Sequence, residues 1–338
     1  MTQVLYTSPY VPAEWIAAHG LEPVRVTPAR APCVGRASSL ACRAGTHDPS
    51  TDSGQALRTP TGALQTYPAA LDRQGVCPFV RNFVADALAR SGPAALVMTT
   101  VCDQMRRAFD VVTGAGAVPA FLLNVPSTWQ SVAVRRLYLD ELDRLSGFLV
   151  RAGGVRPSDG QLIDIMIARE SEPHGLKPIL PVATRGLRTH PTILVALVGG
   201  PLCQEDIAIL DLVAEFGGYV VLDATESGAA GTRRRFDRRR LREEPLLELA
   251  DAYLDGIHDV ARRPNDEFYA WLLRELAASD ARAVIVYRHL WCDLWHAEVE
   301  RLREKSGLPV LDLDTGDGDA IGSGRTRTRL GAFMEMLT

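Results

Sequence analysis

The feature that most constrains the fold of this chain is a junction in which an apolar run of strand length leads directly into a helical pattern. In one copy AALVMTTV precedes DQMRRAFDVV, whose apolar residues recur at helical spacing. In a later copy ARAVIVYRHLW precedes DLWHAEVERLREKSG. A third stretch, TILVALVGGPLCQEDIAILDLVAEFGGYVVLDATESG, reads as strand, turn, helix and strand. Such units predict parallel sheets covered by helices, which is an α/β fold.

Three cysteines stand immediately before predicted helices. Cys102 and Cys292 follow predicted strands, and Cys77 precedes Pro78, a residue suited to the first helical position. A helix N-terminus carries unpaired N–H groups and partial positive charge, so it should lower a thiol pKa and favour the thiolate that binds metal. The cysteine spacing is irregular, however, and an isolated cysteine is commonly a small buried hydrophobe. Spacing alone therefore leaves metal binding and core packing as alternatives.

Six motifs resemble those of the 2-hydroxyacyl-CoA dehydratase and benzoyl-CoA reductase family, in the family's order and between residues 6 and 337. They are YTSPYVPAEWIAAHGLEPVRV, CPFVRN, TTVCDQMRRAFD, the DxxRRPNDEFY stretch that starts at Asp259, the WCD of Trp291 to Asp293, and RTRTRLGAFMEML. The resemblance thus covers nearly the whole chain.

The resemblance implies a [4Fe-4S] cluster held by three cysteines, which correspond here to Cys77, Cys102 and Cys292. With three protein ligands, one of the four irons has no ligand from the protein, and this is the open iron. In a catalytic subunit of this family the open iron meets the substrate, whereas in a companion subunit the cluster relays electrons. A separate iron–sulfur activator hydrolyses ATP and supplies the low-potential electron, so ATP acts only through that activator.

The resemblance also implies a reaction. One electron delivered to the thioester carbonyl of an acyl-CoA gives a ketyl radical that expels the neighbouring hydroxyl, with the open iron as Lewis acid. The electron is then recovered. In the benzoyl-CoA reductase branch the electrons stay in the ring of the substrate instead. The expected partner is a homologous second subunit or a copy of this chain. There are three alternatives: an electron-transfer or scaffold subunit without a substrate pocket, a double-cubane reductase, and a metal-free binding protein.

The predicted architecture is two doubly wound, Rossmann-like parallel-sheet domains with the cluster between them. Residues 1–75 would form an N-terminal segment and a long irregular connection, because 27–75 is rich in Pro, Gly, Ser and Thr. Residues 76–172 would form the first α/β domain and residues 173–338 the second. A length of 338 residues suits two such domains.

Five residues are candidates for substrate binding. Ser8 and Tyr10 offer hydroxyl groups, although capping of a local turn is the favoured role. Gly199 and Gly200 permit close backbone approach at the carboxyl end of a strand, which suits a ligand or tight packing. Arg106, in the first turns of the helix after the TTVC motif, is the fifth.

Other cysteines lie outside the motifs. Cys33, Cys42 and Cys203 are predicted to be incidental thiols, although relatives with a double-cubane cluster use additional cysteines. Relatives often carry a cysteine where this chain has Ser8 and another where it has Glu226. Neither departure affects the three expected ligands, and no catalytic role is inferred from Glu226.

The run RRRFDRRRLREE, from Arg233 to Glu244, is the strongest local charge signal. A solvated, salt-bridged surface segment is the favoured interpretation. The alternative is contact with the phosphates of coenzyme A or with an acidic partner, for which arginine is suited.

Charge and motif content exclude several function classes. A net charge of −4 and a pI near 6 give no electrostatic reason to expect a nucleic-acid partner. The chain shows no apolar run of transmembrane length and no signal-peptide pattern. Six cysteines in so long a chain fit a reducing compartment. We therefore expect a cytoplasmic protein without a membrane partner. Neither HExxH nor GxGxxG is present, which disfavours a zinc hydrolase and a dinucleotide-binding enzyme.

Overall fold

The computed structural model describes residues 1–30, 75–90, 94–116, 118–128, 131–170, 192–316, 321 and 324–338. In those residues eight strands form two four-stranded sheets, and every neighbouring pair of strands runs parallel. The predicted α/β fold in two halves is confirmed. None of the described helices is both long enough and apolar enough to cross a membrane.

The first sheet contains two strands from the N-terminal segment, the strand predicted before Cys102, and one strand that follows Cys102. Its strands are β1 (Gln3–Tyr6), β2 (Glu22–Arg25), β3 (Ala94–Thr99) and β4 (Ala120–Leu123). Their order across the sheet is β2-β1-β3-β4. The central position of β1 means that this sheet begins well before residue 76, where the first α/β domain was predicted to start.

The second sheet repeats the same arrangement. Its strands are β5 (Ile193–Gly199), β6 (Gly218–Thr225), β7 (Ala283–His289) and β8 (Val310–Thr315), in the order β6-β5-β7-β8. Every residue of β7 is buried, as expected for a strand covered by helices on both faces.

Helices cover both faces of each sheet. In chain order they are α1 (Ala13–Ala18), α2 (Pro78–Ala89), α3 (Asp103–Ala115), α4 (Val132–Arg151), α5 (Asp159–Ala168), α6 (Ile209–Glu215), α7 (Arg240–Glu243), α8 (Pro245–Gly256), α9 (Asp266–Ala278), α10 (Asp293–Ser306) and α11 (Gly324–Met336). A 3-10 helix over Gln204–Ala208 leads into α6.

The hydrophobic cores do not follow the order of the chain. On one face of the first sheet, α2 and α3 pack together. On its other face α1 and α4 share a core with α8, which lies within the predicted second domain. Cys203, next to the second sheet, packs into the core of α2 and α3. These two cores therefore draw on residues from both sides of the predicted boundaries, whereas the two cores of the second sheet use residues after 173 alone.

The crossover connections change faces at the middle of each sheet. In the first sheet α1 follows β1 on one face and α3 follows β3 on the opposite face. In the second sheet α6 follows β5 on one face and α10 follows β7 on the other. The neighbouring pairs β1/β3 and β5/β7 are thus topological switch points, where open α/β sheets form their ligand crevices.

Candidate metal centre

The three predicted cysteines each occupy the N-cap of a helix. Cys77 precedes α2, Cys102 precedes α3 and Cys292 precedes α10. In the last two cases a strand ends a few residues earlier, because an apolar β run is followed by a short turn and then by an aspartate in the first helical turn. The predicted position of each cysteine at the start of a helix is confirmed.

All three cysteines line one cavity, whose empty space of about 670 Å³ includes its opening to solvent. The loops that follow β1, β3, β5 and β7 all contribute to its wall, so the cavity lies where the switch points of both sheets meet. Cys77 and Cys102 come from the first half and Cys292 from the second. The structure therefore brings together three residues that the spacing of the sequence left unconnected.

The remaining wall is largely apolar. Its side chains include Phe79, Val101, Met105, Leu294 and Trp295. Three thiols in a pocket with a largely apolar wall are a donor set that suits iron–sulfur ligation, because thiolates bind the irons and the apolar wall limits solvent access. The residues present thus fit a cluster of the kind that the family resemblance implies.

The predicted lowering of the thiol pKa values is wrong for the protein without metal. Burial raises the pKa of Cys77 and Cys102, and it raises the pKa of Cys292 to about 12. Backbone N–H groups at the helix starts act in the opposite direction at all three thiols but do not outweigh the loss of hydration. A metal would therefore have to displace protons from these thiols when it binds.

The three sulfurs also lie close enough to influence one another. Negative charge on Cys292 and on Cys102 further raises the pKa of Cys77, and charge on Cys102 raises the pKa of Cys292. Like charges that repel across a cavity are stabilised when a cation occupies the space between them.

Two carboxyl groups that the sequence analysis did not assign to the site also line the cavity. Burial and, after it, the negative charge of Asp259 raise the pKa of Glu226 to about 8, against the opposing charge of Arg25. Burial also raises the pKa of Asp259. The signal that could have identified Glu226 is its position directly after β6, at the same edge of the sheet as the loop that carries Gly200.

The five candidate substrate residues occupy different surroundings. Ser8 and Gly200 line the cavity. Ser8 Oγ accepts a hydrogen bond of 3.4 Å from the Tyr10 N–H, which is the local turn capping that the sequence favoured. Tyr10 is fully buried, and its carbonyl oxygen accepts a 2.7 Å hydrogen bond from the Tyr138 hydroxyl. These contacts give Tyr10 a role in supporting the local structure.

Gly199 and Arg106 are not among the residues that line the cavity. A Cβ on Gly199 would lie 1.9 Å from the carbonyl oxygen of Tyr287, so this glycine allows close packing of β5 against β7. Its φ of +154° is also one that other residues rarely adopt. Arg106 is exposed and pairs with Asp103 at 3.3 Å on the surface of α3.

Cys203 belongs to a second group of potential ligands. Its sulfur, an oxygen of Asp206 and a ring nitrogen of His289 lie within 4.8 Å of one another, and all three residues are buried. Asp206 is already paired with Arg30 at 2.7 Å and accepts a 2.8 Å hydrogen bond from the Cys203 N–H. Cys203 does not line the cavity of the three cysteines, and Cys33 and Cys42 lie outside the described residues.

The arginine run between Arg233 and Glu244 is salt-bridged, as predicted, but it is not uniformly solvated. Arg233 is 5% exposed and Arg234 pairs with Glu248 at 2.6 Å. Arg240 pairs with Asp251. Because Glu248 and Asp251 lie on α8, these contacts fix the run against the first core.

The family model described as 2-hydroxyglutaryl-CoA dehydratase, D-component, matches residues 9–177 and 181–337. The chain belongs to this family. The three cysteines of the cavity, and Glu226 beside them, all lie within the matched residues of this D-component family member. The family assignment makes the chain a dehydratase-type subunit.

Other comparisons add little to the D-component assignment. The SBP FpvC of Pseudomonas aeruginosa in complex with Mn²⁺ is 11% identical, over 99% of this chain and 96% of that chain, with a TM-score of 0.24. The same protein with Ni²⁺ is 12% identical over 99% and 95% of the two chains, with a TM-score of 0.21. Scores this low do not bear on fold or function. No curated protein matches the chain.

Proposed function

We propose that the chain is the iron–sulfur subunit of an ATP-dependent radical 2-hydroxyacyl-CoA dehydratase or benzoyl-CoA-type reductase. In this proposal Cys77, Cys102 and Cys292 hold a [4Fe-4S] cluster. The observation that carries the proposal is the shared cavity that these three N-cap cysteines line. Membership of the D-component family supports the choice of cluster and of reaction class.

The residues around the cavity would each serve the cluster in a defined way. Backbone N–H groups at the starts of α2, α3 and α10 act on the three sulfurs and would help to set the cluster's potential. Phe79, Met105 and Trp295 would keep water away from it. When bound, the cluster would supply one-electron chemistry and, at an iron without a protein ligand, a Lewis acid for an acyl-CoA carbonyl.

The proposed function requires partners. The D-component name supports a second subunit, which we propose to be a homologous chain or a copy of this one. Electrons would come from an ATP-hydrolysing iron–sulfur activator, so ATP would not bind to this chain. A low-potential cluster also requires a reducing compartment, and we therefore propose a cytoplasmic location.

A second candidate is an electron-relay subunit without a substrate pocket of its own. The observation that favours it is Glu226, an oxygen donor on the wall of the cavity where an open iron would meet the substrate. In both candidates the three cysteines hold the cluster. The candidates differ in whether an acyl-CoA can reach the open iron of that cluster.

Electron paramagnetic resonance (EPR) of the anaerobically purified and reduced protein tests the proposal. An iron–sulfur signal in the wild type that is lost in Cys292→Ser supports it. A change of that signal when a 2-hydroxyacyl-CoA is added identifies the substrate-binding subunit, and an unchanged signal identifies the relay subunit. Absence of an iron–sulfur signal after anaerobic reconstitution would overturn both candidates.

A further inference from the structure

Glu226 is a fourth potential ligand in the cavity of the three cysteines. Its side chain contributes to the same wall as their sulfurs. The wall brings it together with Cys102 from the first half of the molecule and Cys292 from the second. A donor in this position faces the space that a cluster on the three cysteines would occupy.

The backbone of Glu226 is fixed from three sides. Its N–H donates a 3.0 Å hydrogen bond to the carbonyl oxygen of Gly199. Its own carbonyl oxygen accepts a 3.2 Å hydrogen bond from Arg25 Nη2. The chain at Gly231 packs so closely that a Cβ there would lie 1.9 Å from this carbonyl oxygen. The carboxylate is therefore attached to a rigid support at the edge of the cavity, as a ligand requires.

The Glu226 carboxylate is not engaged by any hydrogen bond in the part of the chain that the structure describes. Its neighbour Asp259 differs, because Asp259 Oδ1 accepts a 2.7 Å hydrogen bond from the Ala261 N–H. Glu226 is half-buried, so its carboxylate has lost part of its hydration, and a cation in the cavity would compensate for that loss.

We propose that the Glu226 carboxylate is the fourth protein ligand of this metal centre, on the iron that Cys77, Cys102 and Cys292 leave without one. This inference rests on the proposed function, since it requires the cluster. On binding, the carboxyl group releases its proton to solvent and an oxygen lone pair forms the bond to iron. An oxygen donor is harder than a thiolate, so this iron remains the one most readily exchanged.

Fourth-site ligation decides between the two candidate roles. A cluster with four protein ligands has no open iron, and the chain then acts as the electron relay. A substrate carbonyl could bind only after displacing the carboxylate. As long as the carboxylate stays bound, the reaction site belongs to the second subunit.

Cyanide is a small ligand that binds an open iron, and it can report on this site by EPR. We would add cyanide to the reduced wild type and to the variants Glu226→Gln, Glu226→Cys and Asp259→Asn. We expect the wild-type and Asp259→Asn signals to stay unchanged, since Glu226 is present in both. Glu226→Gln should change its signal, and Glu226→Cys should exclude cyanide because a thiolate replaces the carboxylate. All four proteins should hold about four irons per chain.

The outcomes separate the inference from the proposed function. A wild-type signal that responds to cyanide as strongly as Glu226→Gln shows that the iron is open, and it overturns the ligand role while the cluster stands. A Glu226→Gln signal that ignores cyanide overturns it as well. If Glu226→Gln does not fold, the EPR spectrum of Glu226→Cys decides. A thiolate in place of the carboxylate should change that spectrum, so a Glu226→Cys spectrum identical to that of the wild type would overturn the ligand role of residue 226. Wild type without iron overturns the proposed function itself, and the inference with it.

Discussion

Arg233 Nη2 lies 2.8 Å from Glu14 Oε1, although 219 residues separate the two in the chain. Both residues are buried, and the Tyr253 hydroxyl donates a 2.6 Å hydrogen bond to the other carboxylate oxygen of Glu14. The pair joins α1, next to the first sheet, to the segment that follows β6 of the second. A run that the sequence presents as surface charge thus forms an internal contact between the two halves.

Glu14→Gln should therefore be strongly destabilising. It leaves the Arg233 guanidinium buried without its carboxylate, and breaking a buried pair costs about 3–5 kcal/mol. Urea unfolding measures the change in the free energy of unfolding. The control is Glu243→Gln, because Glu243 pairs with Arg239 on the surface at 2.9 Å and exposed pairs contribute only about 0–1 kcal/mol. Equal effects of the two substitutions would contradict the structural role of Glu14.

His258 should make stability depend on pH. Its ring stacks on Trp271 with centroids 4.6 Å apart, and burial lowers its pKa to about 4, assisted by the charges of Arg274 and Arg262. The unfolded state, with a pKa of about 6.5, takes up the proton first on acidification, so this contribution to stability falls as the pH drops from about 6.5 to about 4. Urea unfolding at both ends of that window should show a smaller loss in His258→Phe than in the wild type. An identical loss would contradict the prediction.

Cys203→Ser should leave the iron content unchanged. Cys203 is buried and outside the cavity of the three cysteines, and its sulfur contacts Asn82 Nδ2 at 3.8 Å. A serine hydroxyl is more polar than the thiol, and burying it at this position costs about 1–3 kcal/mol of stability without removing a cluster ligand. Iron and sulfide analysis beside urea unfolding separates the two effects. Loss of iron would instead favour a larger cluster or a metal bound with Asp206 and His289.

Removal of iron should loosen the contact between the halves. Cys77 and Cys102 belong to the first half and Cys292 to the second, so a cluster on all three binds only the assembled form and stabilises it by mass action. Hydrogen exchange at the starts of α3 and α10 should be slower in the holo protein than in chelator-treated protein. Cys292→Ser should resemble the chelated form, and Cys203→Ser the holo form. Equal protection in all four samples would show that the cluster does not join the halves.

The local parts of the fold could be predicted from the sequence. Strands such as β7 are continuous apolar runs, and the cysteines directly follow or precede recognisable elements, so their N-cap positions were predicted correctly. The sequence predicts an apolar face for α4 made of Val134, Leu137, Leu142, Leu145 and Leu149. The structure buries all of them except Leu137, which is 54% exposed. Tyr138 occupies that face instead, because it lies four residues after Val134 and four before Leu142.

The remaining features depend on contacts that are distant in the chain. Strand β8, VLDLDT, was not predicted, because two of its residues are aspartates. Asp312 pairs with Arg288 of β7 at 2.8 Å and Asp314 with Arg329 of α11 at 2.6 Å, and neither partner is visible locally. The raised thiol pKa values and the place of Glu226 likewise arise only when the two halves enclose the cavity.

The iron and acid-labile sulfide content of the anaerobically purified protein tests the central claim most directly. We predict about four of each per chain in the wild type, and a loss of most of both in Cys77→Ser, Cys102→Ser and Cys292→Ser. Cluster content would fall because each change removes one of the three thiolates. A wild type that stays free of iron after anaerobic reconstitution, or three serine variants that all keep the wild-type content, would contradict the account.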